Sequence, residues 1–307
     1  MHRNKTSHNY ALVKILLLLS VIFTVPSMSY AASSAPEILI VDDDGSQSSF
    51  ISYYTDALDM HGYEYTIFEV SDLTGGNGPS YTNMQNYDLV VWFTGEQGNT
   101  LTPIDIGNLT EYLDNGGNLF FSSVYAGLDI SQTYPDFYEN YLHADYGGKK
   151  TMTWYSYAYG NDNDPISDSS SARLDFYVND VFSIIKPDDA SVVYDIIYYY
   201  INPSYRWKQA KYNVAVKADT GTFKVVYFGI AFESILTNSY TQTSEQVRAE
   251  IMNNIINYMY MPNVTISDID PPETSANITI YADCYDPEWF SYIQDAEFYL
   301  NDSGDLG

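Results

Sequence analysis

Two groups of three aspartates each carry the side chains best suited to binding a cation. The groups are Asp42, Asp43 and Asp44, and Asp162, Asp164 and Asp168. Carboxylates in irregular loops suit Ca²⁺, which takes about six to eight oxygen ligands. The second group lacks the glycine and the distal glutamate of an EF-hand loop. The alternative for both groups is a set of solvated turn carboxylates, with Asp42 capping the helix that follows. Ca²⁺ is the single cofactor hypothesis that the sequence offers.

Ser122 and Ser123 could act as nucleophiles in a hydrolase. They follow an apolar run at the point where a predicted strand turns into a helix, and His143 from that helix could supply the base. The local sequence FSSVYAG lacks the Gly-x-Ser-x-Gly framing of a nucleophile elbow. A secreted serine hydrolase that uses Ser122 or Ser123 with His143 is therefore the alternative function. For His143 itself, the alternative is an exposed or capping residue.

Apolar runs that alternate with helical patterns predict the scaffold for these side chains. The strand-like runs are 38–41, 63–70, 88–94, 118–123 and 223–230, and the helices follow Phe50, Thr102 and Ser244. The run 63–70 alternates, whereas runs without polar alternation, such as 38–41, suit a parallel sheet that is covered on both faces. The order predicts an α/β fold with a doubly wound, mostly parallel sheet. Asp42 and Ser122 would then lie at the carboxyl edge of this sheet, where ligands gather in such folds.

The main domain is expected to span residues 37–262, with a different texture in its middle. Residues 147–221 alternate polar and aromatic side chains, which predicts an antiparallel, tyrosine-rich insertion at one edge or end of the sheet. Residues 263–307 contain short strand-like runs joined by prolines. They predict a partial C-terminal β-sandwich, because so few residues cannot close such a domain.

The amino terminus has the pattern of a secretory signal peptide over residues 1–31. Basic residues precede the apolar stretch 11–25, and Ser29-Tyr30-Ala31 provides a small-residue cleavage site. The alternative is an uncleaved membrane anchor. No later stretch is long and apolar enough to span a bilayer, so we expect a secreted or cell-surface protein without a membrane span after signal removal.

The charge balance excludes some partners. The formal net charge is −27, and removal of the signal peptide leaves 10 basic and 40 acidic residues. Nucleic acid and anionic lipid are therefore excluded as partners, because polyanions would be repelled. The acidity suits cations, or alternatively keeps an exported protein in solution. Cys284 is the single cysteine, so no intrachain disulfide can form among these residues.

Several segments together resemble the class I glutamine amidotransferase-like fold, which is flavodoxin-like, in its divergent branch of secreted and cell-surface proteins. They are ILIVDDD at 38–44, YYTDALDMHGYEYTIFEV at 53–70, NYDLVVWFTGEQGNTLTPIDIGNLTEYLDNGGNLFFSS at 86–123, NDNDPIS at 161–167 and KVVYFGIAFES at 224–234. These segments occur across the main domain in the same order as in the family. The piece 263–307 similarly resembles the first strands of an immunoglobulin-like module.

This resemblance implies the position of a catalytic site and also implies that this chain lacks the catalytic residues. Enzymes of the superfamily use a cysteine on a turn after a strand, activated by a histidine that an acid orients. The corresponding turn here, near Ser122 and Ser123, has no cysteine, and Ala231-Phe232-Glu233 provides an acid, Glu233, without the histidine. The resemblance thus implies a pseudoenzyme: a non-catalytic recognition, scaffold or peptidase-accessory domain. Its partners would be other envelope or secreted proteins, or surface glycans.

Overall fold

The computed structural model describes residues 35–45, 50–70, 76–95, 97–98, 100–151, 157–161, 163–167, 181–187, 189–201, 207–236 and 242–260. The predicted signal peptide and the partial module at 263–307 lie outside this set. Asp162, Asp168 and Cys284 also fall outside it.

The described chain contains ten strands and six α-helices. The strands are β1 (Ile38–Asp42), β2 (Tyr65–Glu69), β3 (Leu89–Phe93), β4 (Asn118–Ser122), β5 (Ala144–Thr151), β6 (Tyr157–Gly160), β7 (Val181–Pro187), β8 (Ser191–Ile201), β9 (Trp207–Asp219) and β10 (Lys224–Phe228). The helices are α1 (Ile51–Asp59), α2 (Tyr81–Met84), α3 (Pro103–Asp114), α4 (Ala126–Thr133), α5 (Pro135–Asn140) and α6 (Ser244–Tyr260). In the described part of the chain, none of the helices has the length and apolar character to cross a membrane.

Eight strands form one sheet in the order β2-β1-β3-β4-β10-β9-β8-β6. The first five are parallel to one another, and the last three are joined antiparallel. The parallel part has the 2-1-3-4-5 order of flavodoxin-like folds. The predicted α/β fold with a mostly parallel sheet is therefore confirmed.

Both faces of β1, β3, β4 and β10 are buried, which explains their apolar sequences, whereas β2 is partly exposed. Successive side chains of a strand point to opposite faces. Ile38 and Ile40 thus belong to the core beneath α1 and α6, whereas Leu39 and Val41 belong to the core beneath α3. Because neither face meets water, polar alternation would place unpaired polar groups in a core.

The helix ends follow the local signals in the sequence. Thr102 and Asp105 form a capping box at the start of α3, with Pro103 in its first position. Thr243 and Gln246 exchange two similar hydrogen bonds at the start of α6, of 2.8 and 3.3 Å. These reciprocal bonds satisfy backbone N–H groups that a helix start leaves without partners.

The antiparallel strands carry two irregularities that cancel. Val192 on β8 pairs with Val216 on β9, Tyr194 pairs with Ala215, and Asp195 pairs with Asn213. β8 therefore has one extra residue, Val193, and β9 has one extra residue, Val214. β5 and β7 form a separate two-stranded sheet.

Candidate functional site

The carboxyl ends of β1, β3, β4 and β10 meet at one edge of the sheet. In the strand register, Asp42 is opposite Phe93, Phe93 is opposite Ser122, and Ser122 is opposite Phe228. This carboxyl edge is where the sequence placed the aspartate cluster and the candidate nucleophiles. The structure therefore does bring the end of β1 and the end of β4 to the same edge.

Both serines at the end of β4 are buried, and their hydroxyls are bonded to the protein. Ser122 Oγ accepts a hydrogen bond from the backbone N–H of Phe232 at 3.0 Å and donates to the carbonyl of Ile230 at 3.2 Å. Ser123 Oγ accepts from the hydroxyl of Thr94 at 2.7 Å and from the N–H of Ala126 at 3.1 Å. Ser122 thus holds the segment after β10, and Ser123 holds the start of α4.

Tyr54 on α1 lies against Ser122. Its side chain is 0% exposed, and its ring stacks on Phe93 with centroids 4.1 Å apart and planes at 10°. The ring of Phe232 lies against it at 5.0 Å. This aromatic packing buries the Tyr54 ring together with Ser122.

The hydroxyl of Tyr54 donates to Oε2 of Glu233 at 2.8 Å. Burial, and then the negative charge of Glu233, hold the pKa of Tyr54 well above its usual range, while a hydrogen bond with Ser122 opposes the rise. A tyrosine with a raised pKa keeps its proton at neutral pH and cannot serve as a base. Ser122, Tyr54 and Glu233 therefore form a buried hydrogen-bonded cluster, with a phenol where a catalytic site would need a base.

His143 lies at the other end of the sheet. It follows α5 rather than belonging to a helix, and its ring is 5.9 Å from that of Phe223, just before the start of β10. Ser122 is opposite Phe228, five residues further along, which is roughly 16 Å at the rise of a strand. The structure therefore does not bring His143 to Ser122 or Ser123.

The bonded partner of His143 is Asp189. Nδ1 of the imidazole lies 2.5 Å from Oδ1 of that exposed aspartate. The other ring nitrogen, Nε2, is buried and has no hydrogen-bond partner. The backbone of His143 has a φ of 52°, in the left-handed region that few residues other than glycine adopt.

The aspartates after β1 have separate hydrogen-bond partners. Asp44 Oδ2 accepts from the N–H of Phe50 at the start of α1, so Asp44, rather than the expected Asp42, bonds the start of this helix. Asp42 Oδ1 accepts from the N–H of Asp44. Asp43 Oδ2 accepts from the indole Nε1 of Trp92 at 3.1 Å.

Two of these carboxyls are hard to ionise. Burial, and then the charge of Asp44, raise the pKa of Asp42 to about 6. Burial raises the pKa of Asp43 to about 8, with smaller increases from Asp105 and the other two aspartates, although the Trp92 hydrogen bond opposes the change. At neutral pH, Asp43 is therefore mostly a neutral acid, because an anion here would lose its hydration.

The candidate metal ligands are not gathered into a site where the chain is described. Within the described ranges, no group of three or more His, Cys, Asp or Glu side chains is arranged to hold a metal ion. Asp164 forms an ion pair with the ammonium of Lys217 and accepts from the N–H groups of Ile166 and Ser167. A lysine thus already supplies the cation at Asp164, whereas its predicted partners Asp162 and Asp168 lie outside the described residues.

Sequence reasoning did not assign a role to Tyr54 or Trp92. The helical pattern that follows Phe50 accounts for the ring of Tyr54 but not for its hydroxyl. A buried tyrosine usually needs a polar partner. That requirement was the available signal for a buried acid such as Glu233, but it could not identify which acid.

No protein-family model and no curated protein matches this sequence. A cytoplasmic protein from Salmonella typhimurium is a structural neighbour, with a TM-score of 0.49 and 13% identity over 73% of this chain and 98% of its own. A ThuA-like protein from Bacteroides uniformis gives 0.47 and 11%, over 75% of this chain and 95% of its own. One from Parabacteroides merdae gives 0.45 and 9%, over 72% and 88%.

Structural neighbours of this chain thus include ThuA-like proteins, which have a glutamine amidotransferase-like fold. Every one of these TM-scores is below 0.5, and the identities are at most 13%. We therefore base the fold on strand order alone and carry no activity over from these proteins.

Proposed function

We propose that this chain is a secreted or cell-surface recognition, scaffold or peptidase-accessory domain on an amidotransferase-like fold that has lost catalysis. One observation carries the proposal. The ring of Tyr54 fills the carboxyl edge, and its hydroxyl binds the acid Glu233, where an activating base would have to stand. Without a base, a serine hydroxyl is a poor nucleophile at neutral pH.

The hydrogen bonds of the two serines support the same proposal. A nucleophile needs a free approach to a substrate carbonyl, and general-base activation needs a proton acceptor within reach of its hydroxyl. The Ser122 hydroxyl instead donates to the carbonyl of Ile230. The Ser123 oxygen accepts from two protein groups. Both hydroxyls therefore serve to join strand β4 to its neighbours.

The export part of the proposal is supported by the signal-peptide pattern at residues 1–31. The acidic balance after that segment favours protein or glycan partners over nucleic acid. The alternative, a serine hydrolase that uses Ser122 or Ser123 with His143, is disfavoured because His143 lies at the other end of the sheet, and the same experiment tests it.

The test is a hydrolysis assay with the purified chain on glutamine and on a p-nitrophenyl ester. We expect rates equal to the buffer blank, and equal rates for Ser122→Ala, Ser123→Ala and the control Ser131→Ala. Ser131 lies in α4, where its hydroxyl bonds the carbonyl of Gly127. Hydrolysis that disappears in Ser122→Ala or Ser123→Ala, but persists in Ser131→Ala, would overturn the proposal in favour of the hydrolase. Circular dichroism of each variant checks that it is folded.

A further inference from the structure

Strand β2 is the last strand at one end of the eight-stranded sheet. One side of β2 pairs with β1 in a regular parallel register from Tyr65 to Glu69. Its outer side pairs with no strand in the part of the chain that is described. The backbone N–H and C=O groups on that side are thus available to a further strand.

Side chains on β2 leave this edge accessible. Thr66, Ile67 and Glu69 are exposed, and Ile67 has 47% of its surface open to solvent. Ile67 lies beside Ile40 of β1, so it continues an apolar row of the sheet outward to water.

β2 lacks three of the devices that protect an edge strand, although it is short and carries the charged Glu69. Edges are blunted by lysine, proline or a bulge. Residues Tyr65–Glu69 read YTIFE, with neither lysine nor proline. The register against β1 shows no bulge. An accessible edge without these devices is one that another strand can join.

The charge around this edge has one sign. Residues 35–148 contain 18 acidic residues and no lysine or arginine. Asp59, Glu64 and Glu69 are exposed at or next to β2. Glu69 is opposite Asp42, and its charge is among the causes that raise the pKa of Asp42. A strand that joins β2 would therefore be stabilised by positive charge.

We propose that the outer edge of β2 binds an extended, basic segment of a partner protein by strand addition. Main-chain hydrogen bonds to β2 would hold the segment, an apolar side chain would cover Ile67, and lysine or arginine side chains would meet Glu64 and Glu69. This inference rests on the recognition role proposed above and names the chemistry of the partner. A second copy of this chain is a poor occupant, because its β2 edge is equally acidic.

The probe is a blocked nonapeptide of alternating lysine and valine, titrated into the purified chain by calorimetry. Two control peptides separate the contributions to binding. One has glutamate in place of lysine, and the other keeps the lysines but has alternate backbone amides N-methylated, which prevents strand pairing. We expect the first peptide to bind, both controls to fail, and affinity to fall as sodium chloride rises from 50 to 300 mM, because surface charges are screened by salt (roughly 10 Å Debye length at 0.1 M).

Two variants locate the site. Ile67→Lys adds a protecting charge to the edge and should weaken binding of the lysine peptide by about tenfold or more. Ile104→Lys is the matched control, because Ile104 is 55% exposed in the first turn of α3, on a different element. It should change the affinity by less than about twofold, as expected for a surface substitution away from the site.

Three results would overturn the inference. The N-methylated peptide could bind as well as the parent, which would mean that strand pairing is not involved. Both lysine variants could lose binding equally, which would indicate non-specific charge attraction. Sedimentation could instead reveal a dimer of the chain that Ile67→Lys disrupts, and a second copy would then be the occupant. None of these results changes the hydrolysis assay, so failure of this inference is distinguishable from failure of the proposed function.

Discussion

The two ends of the parallel strands are built in different ways. At the carboxyl end, Tyr54 closes the sheet edge, and its hydroxyl is bonded to Glu233 beneath a layer of aromatic rings. At the amino end, His143 has a left-handed backbone conformation, a bond to an exposed aspartate and a buried ring nitrogen without a partner. In comparable folds the carboxyl end holds the catalytic groups, but here that end is filled by aromatic side chains. His143, the candidate base, lies at the amino end.

This difference implies that a nucleophile alone would not make the carboxyl end a catalytic site. A cysteine placed at position 122 would still be covered by the Tyr54 ring. The carboxyl edge now contributes to stability, so changes there should affect the free energy of unfolding more than changes at the amino end.

The largest effect is expected for Tyr54→Ala, measured by urea unfolding. Loss of a buried ring between Phe93 and Phe232 should lower the free energy of unfolding by about 3–5 kcal/mol. Tyr54→Phe keeps the ring but leaves Glu233 without the hydroxyl, and should cost about 1–3 kcal/mol. Tyr53→Ala is the control, because the neighbouring tyrosine is half-buried. A Tyr54→Ala loss no larger than that of Tyr53→Ala would mean that the buried Tyr54 ring does not stabilise the carboxyl end.

A pH effect of comparable size should come from Asp43. Its pKa is about 8 in the folded chain against an ordinary value of 3.8, so between these values the folded state binds more protons than the unfolded state. Its stabilising contribution is therefore fully present below about pH 4 and is lost as the pH rises through 8, with a slope approaching about 1.4 kcal/mol per pH unit.

Asp43→Asn removes this titration and should flatten the decline in stability between pH 5 and pH 9. Urea unfolding at several pH values measures it, with exposed Asp136→Asn as the control. If the wild-type chain and Asp43→Asn lose stability in parallel across this range, the neutral acid at the carboxyl edge does not exist.

The smallest effect is expected at the amino end, for His143→Asn. Asparagine tolerates the left-handed backbone at this position, which offsets the loss of the ring contact with Phe223. We expect a change in the free energy of unfolding within about 1 kcal/mol. A loss as large as that of Tyr54→Ala would mean that both ends are equally committed to stability.

Sequence reasoning succeeded where the signal is local. The apolar run of β1 and the Thr102 capping box of α3 are patterns within a few residues, and both elements form as predicted. The order of strands and helices then follows, because parallel strands need crossover helices. For this reason the general α/β architecture could be predicted from the sequence.

The site was not accessible in the same way, because its contacts join distant parts of the chain. Tyr54 and Glu233 are 179 residues apart, and no local pattern pairs them. The position of His143 was missed for a related reason. Helices α4 and α5 follow the carboxyl end of β4 and together are long enough, at about 1.5 Å per residue, to return the chain to the amino edge before His143.

The opposing irregularities of β8 and β9 place a constraint on the evolution of this hairpin. Removal of the extra residue from one strand alone would slip the outer hairpin by one position and exchange the faces of the sheet that its residues occupy. Removal of both would restore the alignment. Val193 and Val214 are therefore a linked pair, and lineages should gain or lose them together rather than singly.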